Sequence, residues 1–305
     1  MPPRDLPRLV FVTRKTRLVQ LQEARGTLGQ VAFFLASQGQ ALDPYVAEDT
    51  QQQAALQQIM ATLPLQQRRA AIDRADLSRF LFAPDDVVVV VGQDGLVANA
   101  AKYLQGQIVI GLNPDPARYD GVLCPHIPAQ LPHLLRHLQQ AQLPGLQLET
   151  RTLVQATLED GQQLCGLNEI FVGHRSHQSA RYQLITPSGQ ERQSSSGLIC
   201  ATGTGSTGWA LSLARQCHCE IPLPEPQEAR LSWFVREAFP SRTTGISLTQ
   251  GVLTQDQQLQ VSSEMPEDGV IFADGIETDY LTFAAGQTVT LSLAPQRLHL
   301  LMPVR

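Results

Sequence analysis

The run Asp86-Val87-Val88-Val89-Val90-Val91 and the break after it, Gly92-Gln93-Asp94-Gly95-Leu96, constrain the fold more than any other stretch of this chain. Consecutive β-branched residues with no polar alternation predict a strand buried on both faces, as in a parallel sheet covered by helices. A glycine turn and then a helical stretch, Val97–Leu104, follow. A strand, a glycine turn and a helix start together form a cradle for phosphate, because the turn exposes backbone N–H groups and the helix dipole adds partial positive charge. Asp94 sits in the middle of that cradle and would repel an anion. A carboxylate there makes sense if it takes a proton, or holds a metal, beside a phosphate. Taken alone, the loop also fits an ordinary strand-to-helix turn, since short glycine motifs recur by chance.

The surrounding sequence supports an α/β first half. Leu9-Val10-Phe11-Val12 and Ile108-Val109-Ile110-Gly111-Leu112 are further apolar strands. Gln20 to Gln38 predicts a helix with Leu28, Val31, Ala32 and Ala36 on one face, and Val46 to Leu63 predicts another. Leu65 to Phe82 reads as a further helix or a surface excursion. In such sheets ligands bind at the carboxyl ends of the strands, which is where Gly92 and the turn Asn113-Pro114-Asp115-Pro116 fall. Leu131 to Leu143 predicts a helix whose His133 and His137 lie one turn apart on a solvated face. After Pro144 the pattern alternates, as in Leu146–Val154, Tyr182–Thr186, Leu259–Ser262 and Thr288–Leu293, with a turn signal at Pro187-Ser188-Gly189-Gln190. This half is expected to be antiparallel β. The division is drawn at 1–130 and 131–289, with 290–305 returning to the first domain.

Composition narrows the class. A chain of 305 residues with 43% hydrophobic and 17% charged residues can bury large cores in two domains. A net charge of −5 argues against a dedicated nucleic-acid or anionic-membrane surface. No apolar run approaches the roughly 20 residues of a membrane span, and no signal-peptide core is present, so the cytoplasm is the expected location. The five scattered cysteines read as free thiols. Cys217-His218-Cys219 has no accompanying ligand cluster, and no metal site is expected there.

Two clusters in the β-rich half carry further chemistry. Asn168-Glu169 precedes an apolar run, and its amide and carboxylate suit ribose hydroxyls or an adenine edge. The dipeptide also fits a plain turn before a strand. The second cluster is Thr202-Gly203-Thr204-Gly205-Ser206-Thr207-Gly208-Trp209, entered from the apolar strand Leu198–Ala201 and followed by a helix from Trp209. Its glycines let a ligand approach the backbone, and Ser206 or Thr207 is placed to cap the helix.

In this order the clusters resemble the NAD kinases. That family's Gly-Gly-Asp-Gly-Thr motif corresponds to Gly92-Gln93-Asp94-Gly95-Leu96, its Asn-Glu pair to Asn168-Glu169, and its Thr-Pro-Thr-Gly-Ser-Thr-Ala-Tyr motif to Thr202–Trp209. Asn113–Gly121, Ser195-Ser196-Gly197 and Val12–Arg17 look most like the mitochondrial and plant branch. The resemblance implies a Rossmann-like N-terminal α/β domain with a parallel sheet and a C-terminal antiparallel β-sandwich. It implies ATP and Mg²⁺, NAD as acceptor, and a homodimer or homotetramer. Asp94 would be the catalytic base, with Gly92, Gln93, Gly95 and Leu96 as the phosphate loop. Asn168, Glu169, Thr202, Thr204, Gly205, Ser206 and Thr207 would bind NAD. Two positions depart from the family. A non-glycine residue at 93 would cost about 1–2 kcal/mol if its φ were positive, and Leu96 removes a hydroxyl that could bond phosphate or cap the helix. These departures raise the alternative of an NAD(P)-binding homologue with weak or no activity. A kinase acting on a lipid or sugar hydroxyl is the other alternative. The sequence leaves open ATP or polyphosphate as donor and NAD or NADH as acceptor.

Overall fold

The computed structural model describes residues 7–140, 142–217 and 221–304. The chain divides into two compact units: one runs through Tyr103 and includes Gln107–Leu148 and the chain from His299, the other comprises Leu104–Gly106 and Glu149–Leu298.

The first unit is a parallel sheet with helices. Its chain order is β1 (Leu9–Thr13), α1 (Arg17–Arg25), α2 (Leu28–Ser37), α3 (Asp43–Thr62), β2 (Arg69–Asp73), β3 (Val87–Val91), α4 (Asp94–Ala101), β4 (Ile108–Leu112) and α5 (Leu131–Gln140). The strands lie in the order β2-β1-β3-β4, all parallel. The end of the last strand of the chain adds to β4 in parallel through His299 and Leu300. Val88 to Val91 are fully buried, as a strand covered on both faces requires. Each contributes about 1.5–3 kcal/mol relative to exposure. Leu9, Phe11, Val89, Val91, Ile110 and Leu112 pack with Ile59 and Leu63 on one side of this sheet. Leu131, Leu134 and Leu135 of α5 join the same core, so this helix belongs to the first unit although the division at residue 130 assigns it to the second.

Two local expectations are corrected. Residues 20–38 form two helices, because Gly26 adopts φ +95° and Thr27 then starts α2 with a capping box to Gln30. Val31 and Leu35 are the buried residues of α2, whereas Leu28 is 45% exposed. Residues 65–82 are neither a helix nor an excursion. They supply the edge strand β2, paired with β1 along its length, and a short 3₁₀ turn at Arg74–Arg79 that the Asp73 side chain caps. Hydrogen bonding to β1 overrides the weak local pattern.

The second unit is a sandwich of two antiparallel sheets. Its strands are β5 (Leu146–Leu158), β6 (Gln163–Gly166), β7 (Glu169–His174), β8 (Ala180–Thr186), β9 (Gly189–Ser195), β10 (Leu198–Ala201), β11 (Leu231–Val235), β12 (Gln250–Leu253), β13 (Leu259–Ser263), β14 (Gly269–Ala273), β15 (Tyr280–Thr282) and β16 (Thr288–Pro303). One sheet runs β16-β13-β8-β9, with β5 paired to β16 and β6; the other runs β12-β11-β10-β7-β14-β15. The alternation read from sequence sends Tyr182, Leu184, Val261 and Leu291 inward to meet Ile170, Val172, Leu198 and Trp233 of the facing sheet. A helix, α6 (Trp209–Gln216), lies on the outer face of the second sheet through Ala210, Leu213 and Ala214. Among the described residues no helix is long and apolar enough to cross a membrane.

One glycine in the first unit sets how closely a neighbouring loop can approach the sheet. A Cβ at Gly111, in β4, would lie 2.1 Å from the Leu123 carbonyl oxygen and 2.7 Å from Cys124 Cα. The missing side chain lets the segment after Gly121 lie flat on the sheet. Both obstructing atoms are backbone and cannot rotate away. Gly111→Ala is therefore expected to destabilise the protein by about 2–3 kcal/mol, read as a lower midpoint in urea unfolding with an unchanged slope.

Candidate functional site

The loop after β3 takes a conformation that any residue can adopt. The Gly92 amide extends the ladder to the Leu112 carbonyl at 2.9 Å. Gln93 has φ −97° and ψ 164°, an extended N-cap, so the backbone cost considered for a non-glycine residue does not arise. Its side chain does not cap α4. Its Oε1 instead accepts from Arg14 Nη2 at 3.2 Å. The helix begins at Asp94, three residues before Val97, the expected start. Leu96 is a core residue, 3% exposed, with Cδ2 3.2 Å from where a Gly92 Cβ would stand. It fills space beneath the loop, where a threonine would offer a hydroxyl.

Asp94 projects from the first turn of α4 and collects three backbone donors. Its Oδ1 accepts from the amides of Leu123 at 2.8 Å and Cys124 at 3.1 Å, and its Oδ2 from Val122 at 3.0 Å. An ionised carboxylate has about four lone-pair positions, so this pattern leaves one open. The turn that precedes the donor segment is tied down: Asn113 donates to the Tyr119 carbonyl at 2.8 Å and accepts from the Asp115 amide at 3.0 Å. Gln93, Asp94, Gly95, Arg118 and Asp120 line a cleft of about 350 Å³. Cys124 is no nucleophile, because burial first and the Asp94 charge second push its thiol pKa well up.

The second unit holds a matching arrangement. Asp274 Oδ1 accepts from the amides of Asn168 at 2.7 Å and Glu169 at 3.4 Å, and its Oδ2 from Leu167 at 3.1 Å. Asp274 has φ +53°, a left-handed conformation that Asp tolerates better than most residues. Thr202 is fully buried and completes the turn. Its hydroxyl donates to the Leu167 carbonyl at 2.5 Å and accepts from the amides of Thr204 and Gly205, while its own amide donates to the Asn168 carbonyl. Gly205 is required here, since a Cβ would lie 2.3 Å from the Asn168 oxygen. Asn168, Glu169, Thr204 and Gly205, far apart in sequence, are thus held side by side. Thr202 is a positioning residue whose hydroxyl is committed to the fold.

The rest of the hydroxyl-rich loop divides in two. Ser206 and Thr207 hydroxyls bond back to the carbonyls of Thr202 and Thr204. Neither caps α6; Gly208 stands at that position with no side-chain hydrogen bond. The Thr204 hydroxyl is buried without a partner among the described residues. Trp209 stacks on Phe171 at 6.0 Å, with Arg236 5.1 Å above the Trp209 ring, and these three residues line a second cavity of about 300 Å³. His133 and His137 approach to 2.9 Å through their Nε2 atoms on an exposed face. His218 and Cys219 lie outside the described residues. Among those described, no three His, Cys, Asp or Glu side chains converge as a metal site.

Asp274 is the residue that sequence reasoning does not assign. Ala273-Asp274-Gly275 could be suspected of approaching the site, but nothing local argues for it, because its partner lies 106 residues away. Asp274→Ala is expected to cost about 2 kcal/mol, because three amides lose an acceptor. Asp274→Asn keeps one acceptor oxygen and tolerates the same φ, so it should cost less; thermal melts of the two variants check this.

No family model matches the chain. An NAD kinase of Chlorobaculum tepidum is 25% identical over 234 residues, spanning 75% of this chain and 74% of that protein. The crystal structure of yeast NADH kinase complexed with NADH superposes with a TM-score of 0.62 at 13% identity, covering 99% of this chain and 85% of that one. An NAD kinase from Archaeoglobus fulgidus in complex with ATP gives 0.57 at 18% identity, covering 96% and 92%. The two structures share the fold, an α/β unit with an antiparallel β unit. In sequence and in the order of its clusters this chain is similar to NAD kinases, and it shares the fold of the two solved structures.

Proposed function

We propose that this protein is an ATP-dependent NAD kinase, moving the terminal phosphoryl group of ATP to the adenosine-ribose 2′-hydroxyl of NAD to give NADP. The observation that carries this reading is the Asp94 carboxylate, fixed by three amides beside a cleft with one acceptor position left over. In the transfer, the bond from the terminal phosphorus to the ADP oxygen breaks and the 2′-oxygen bonds to that phosphorus. The hydroxyl proton passes to Asp94. Rigid backbone donors keep the carboxylate aimed without a reorganisation cost at the moment of reaction. Asn168 and Glu169 bind the adenosine half, and Thr204, Gly205, Ser206 and Thr207 line the dinucleotide site. We take the protein to act as a homo-oligomer.

Mg²⁺ fits as a companion of the ATP phosphates. Magnesium keeps several waters and takes one or two carboxylates beside phosphate oxygens, and Asp120 is the carboxylate on the cleft besides the proposed base. When bound, it would neutralise charge on the donor. The two departures from the family motif do not argue against activity. Gln93 has a negative φ and Leu96 packs as core.

Two variants test the reading through NADP formation from NAD and ATP–Mg²⁺. Asp94→Asn should lower kcat by about 10²–10⁴-fold, the range of a lost general base; undiminished turnover would remove Asp94 from that role. Thr204→Val removes a hydroxyl with no partner among the described residues. Its melting temperature should be unchanged or slightly raised, while KM for NAD rises about fivefold to tenfold as a ligand hydrogen bond is lost.

A further inference from the structure

We propose that Arg14 is a ligand for the polyphosphate chain of the donor, and that the Gln93 carboxamide holds its guanidinium ready for that task. The proposal takes the identity of the donor from the kinase reading, but not the binding itself.

The cleft beside Asp94 has a charge problem. Asp94 and Asp120 both line it, and a polyphosphate entering it meets two carboxylates. Compensating cations must come from nearby. Arg118 lines the cleft but leans toward Asp115, with Nε 3.9 Å from Oδ2. The neighbours of Arg14 are also committed: Lys15 pairs with Glu23 and Arg17 with Glu48. Arg14 differs. The acceptor that its guanidinium takes is neutral, the Gln93 carboxamide, at 3.2 Å.

That contact is long for a bond from a charged donor, where 2.7–2.9 Å is usual with a charged acceptor. A phosphate oxygen offers a stronger partner, and the guanidinium fork matches phosphate geometry. The position is also suitable. Arg14 follows β1 directly, at the carboxyl edge of the sheet where the β3 loop opens. Its own recess holds only about 30 Å³, room for water but not for a phosphate. Gly92, Gln93 and Tyr119 line both that recess and the larger cleft. Gln93 is therefore the contact through which Arg14 reaches the cleft edge. A donor phosphate beside Gly92 and Gly95 would replace Gln93 Oε1 as the partner of Arg14.

This assigns a purpose to the residue that most distinguishes the loop. Glycine at 93 would leave Arg14 without this support. The opposite possibility is that the Gln93 side chain obstructs the phosphate, and the two predict opposite signs.

The test is calorimetric titration of the full chain with sodium tripolyphosphate and with ATP–Mg²⁺, alongside NADP formation. Arg14→Ala should weaken tripolyphosphate binding and raise KM for ATP about tenfold, with KM for NAD little changed. Arg14→Lys keeps the charge and loses the fork, so it should fall between Arg14→Ala and the wild type. Gln93→Gly should weaken binding about threefold, and Arg14→Ala/Gln93→Gly should be no weaker than Arg14→Ala alone, since one residue acts through the other. Each variant's melting temperature is compared with the wild type, and Arg14→Lys carries the test if Arg14→Ala does not fold. Wild-type protein that ignores tripolyphosphate overturns the proposal. So does unchanged affinity in folded Arg14 variants, or tighter binding in Gln93→Gly. Absence of NADP formation with Arg14-dependent tripolyphosphate binding would reject the kinase reading alone. NADP formation with an unchanged KM for ATP in Arg14→Ala would reject the proposal alone.

Discussion

A carboxylate that gathers consecutive backbone amides is the interaction on which both candidate clusters rest. Asp94 does this for Val122, Leu123 and Cys124, and Asp274 does it for Leu167, Asn168 and Glu169. Loop amides need acceptors, and a loop with functional side chains has few regular partners to offer. An ionised oxygen satisfies two donors at once and binds them about twice as strongly as a neutral acceptor. Each unit thus fixes a loop with one side chain. In the first unit that side chain is also the proposed reactive group; in the second, the carboxylate supports the loop that carries Asn168 and Glu169.

These supports depend on close packing elsewhere. Asp94 can meet the amides of 122–124 only because Gly111 has no side chain to lift that segment off the sheet. Likewise Gly205 sits against Asn168, and Thr202 bonds to both loops. The glycines of the two clusters are there for different reasons. Gly205 and Gly111 admit neighbouring backbone. A Cβ at Gly92 would press on the Leu96 side chain, whereas one at Gly95 would meet nothing, which leaves the surface of Gly95 open at the cleft.

Much of this was legible in the chain. The Val87–Val91 run has no polar face to expose, so burial on both sides was forced. The alternation in Tyr182–Thr186 and Thr288–Leu293 could only be satisfied by a sheet with one face covered. The strand at Arg69–Asp73 was not legible, because its sequence, Arg-Ala-Ala-Ile-Asp, has one buried residue and owes its shape to pairing with β1. Gln93 misled for a related reason: a family glycine suggests a positive φ, yet the turn here needs only an extended residue.

The sequence by itself determined the two kinds of layer and the chemistry of the loops, since these follow from local periodicity and residue type. It also set Asp94 at a strand-to-helix junction, where chain order alone puts it. Only the tertiary structure decided what each polar group is committed to. Asp274 reaches across 106 residues, Thr202 is spent on the fold, the Thr204 hydroxyl has no partner among the described residues, and Arg14 faces Gln93 79 residues away. Those outcomes are pairings between distant segments. Hydrogen bonds and desolvation act at about 3 Å, and that distance is set by packing that no local stretch encodes.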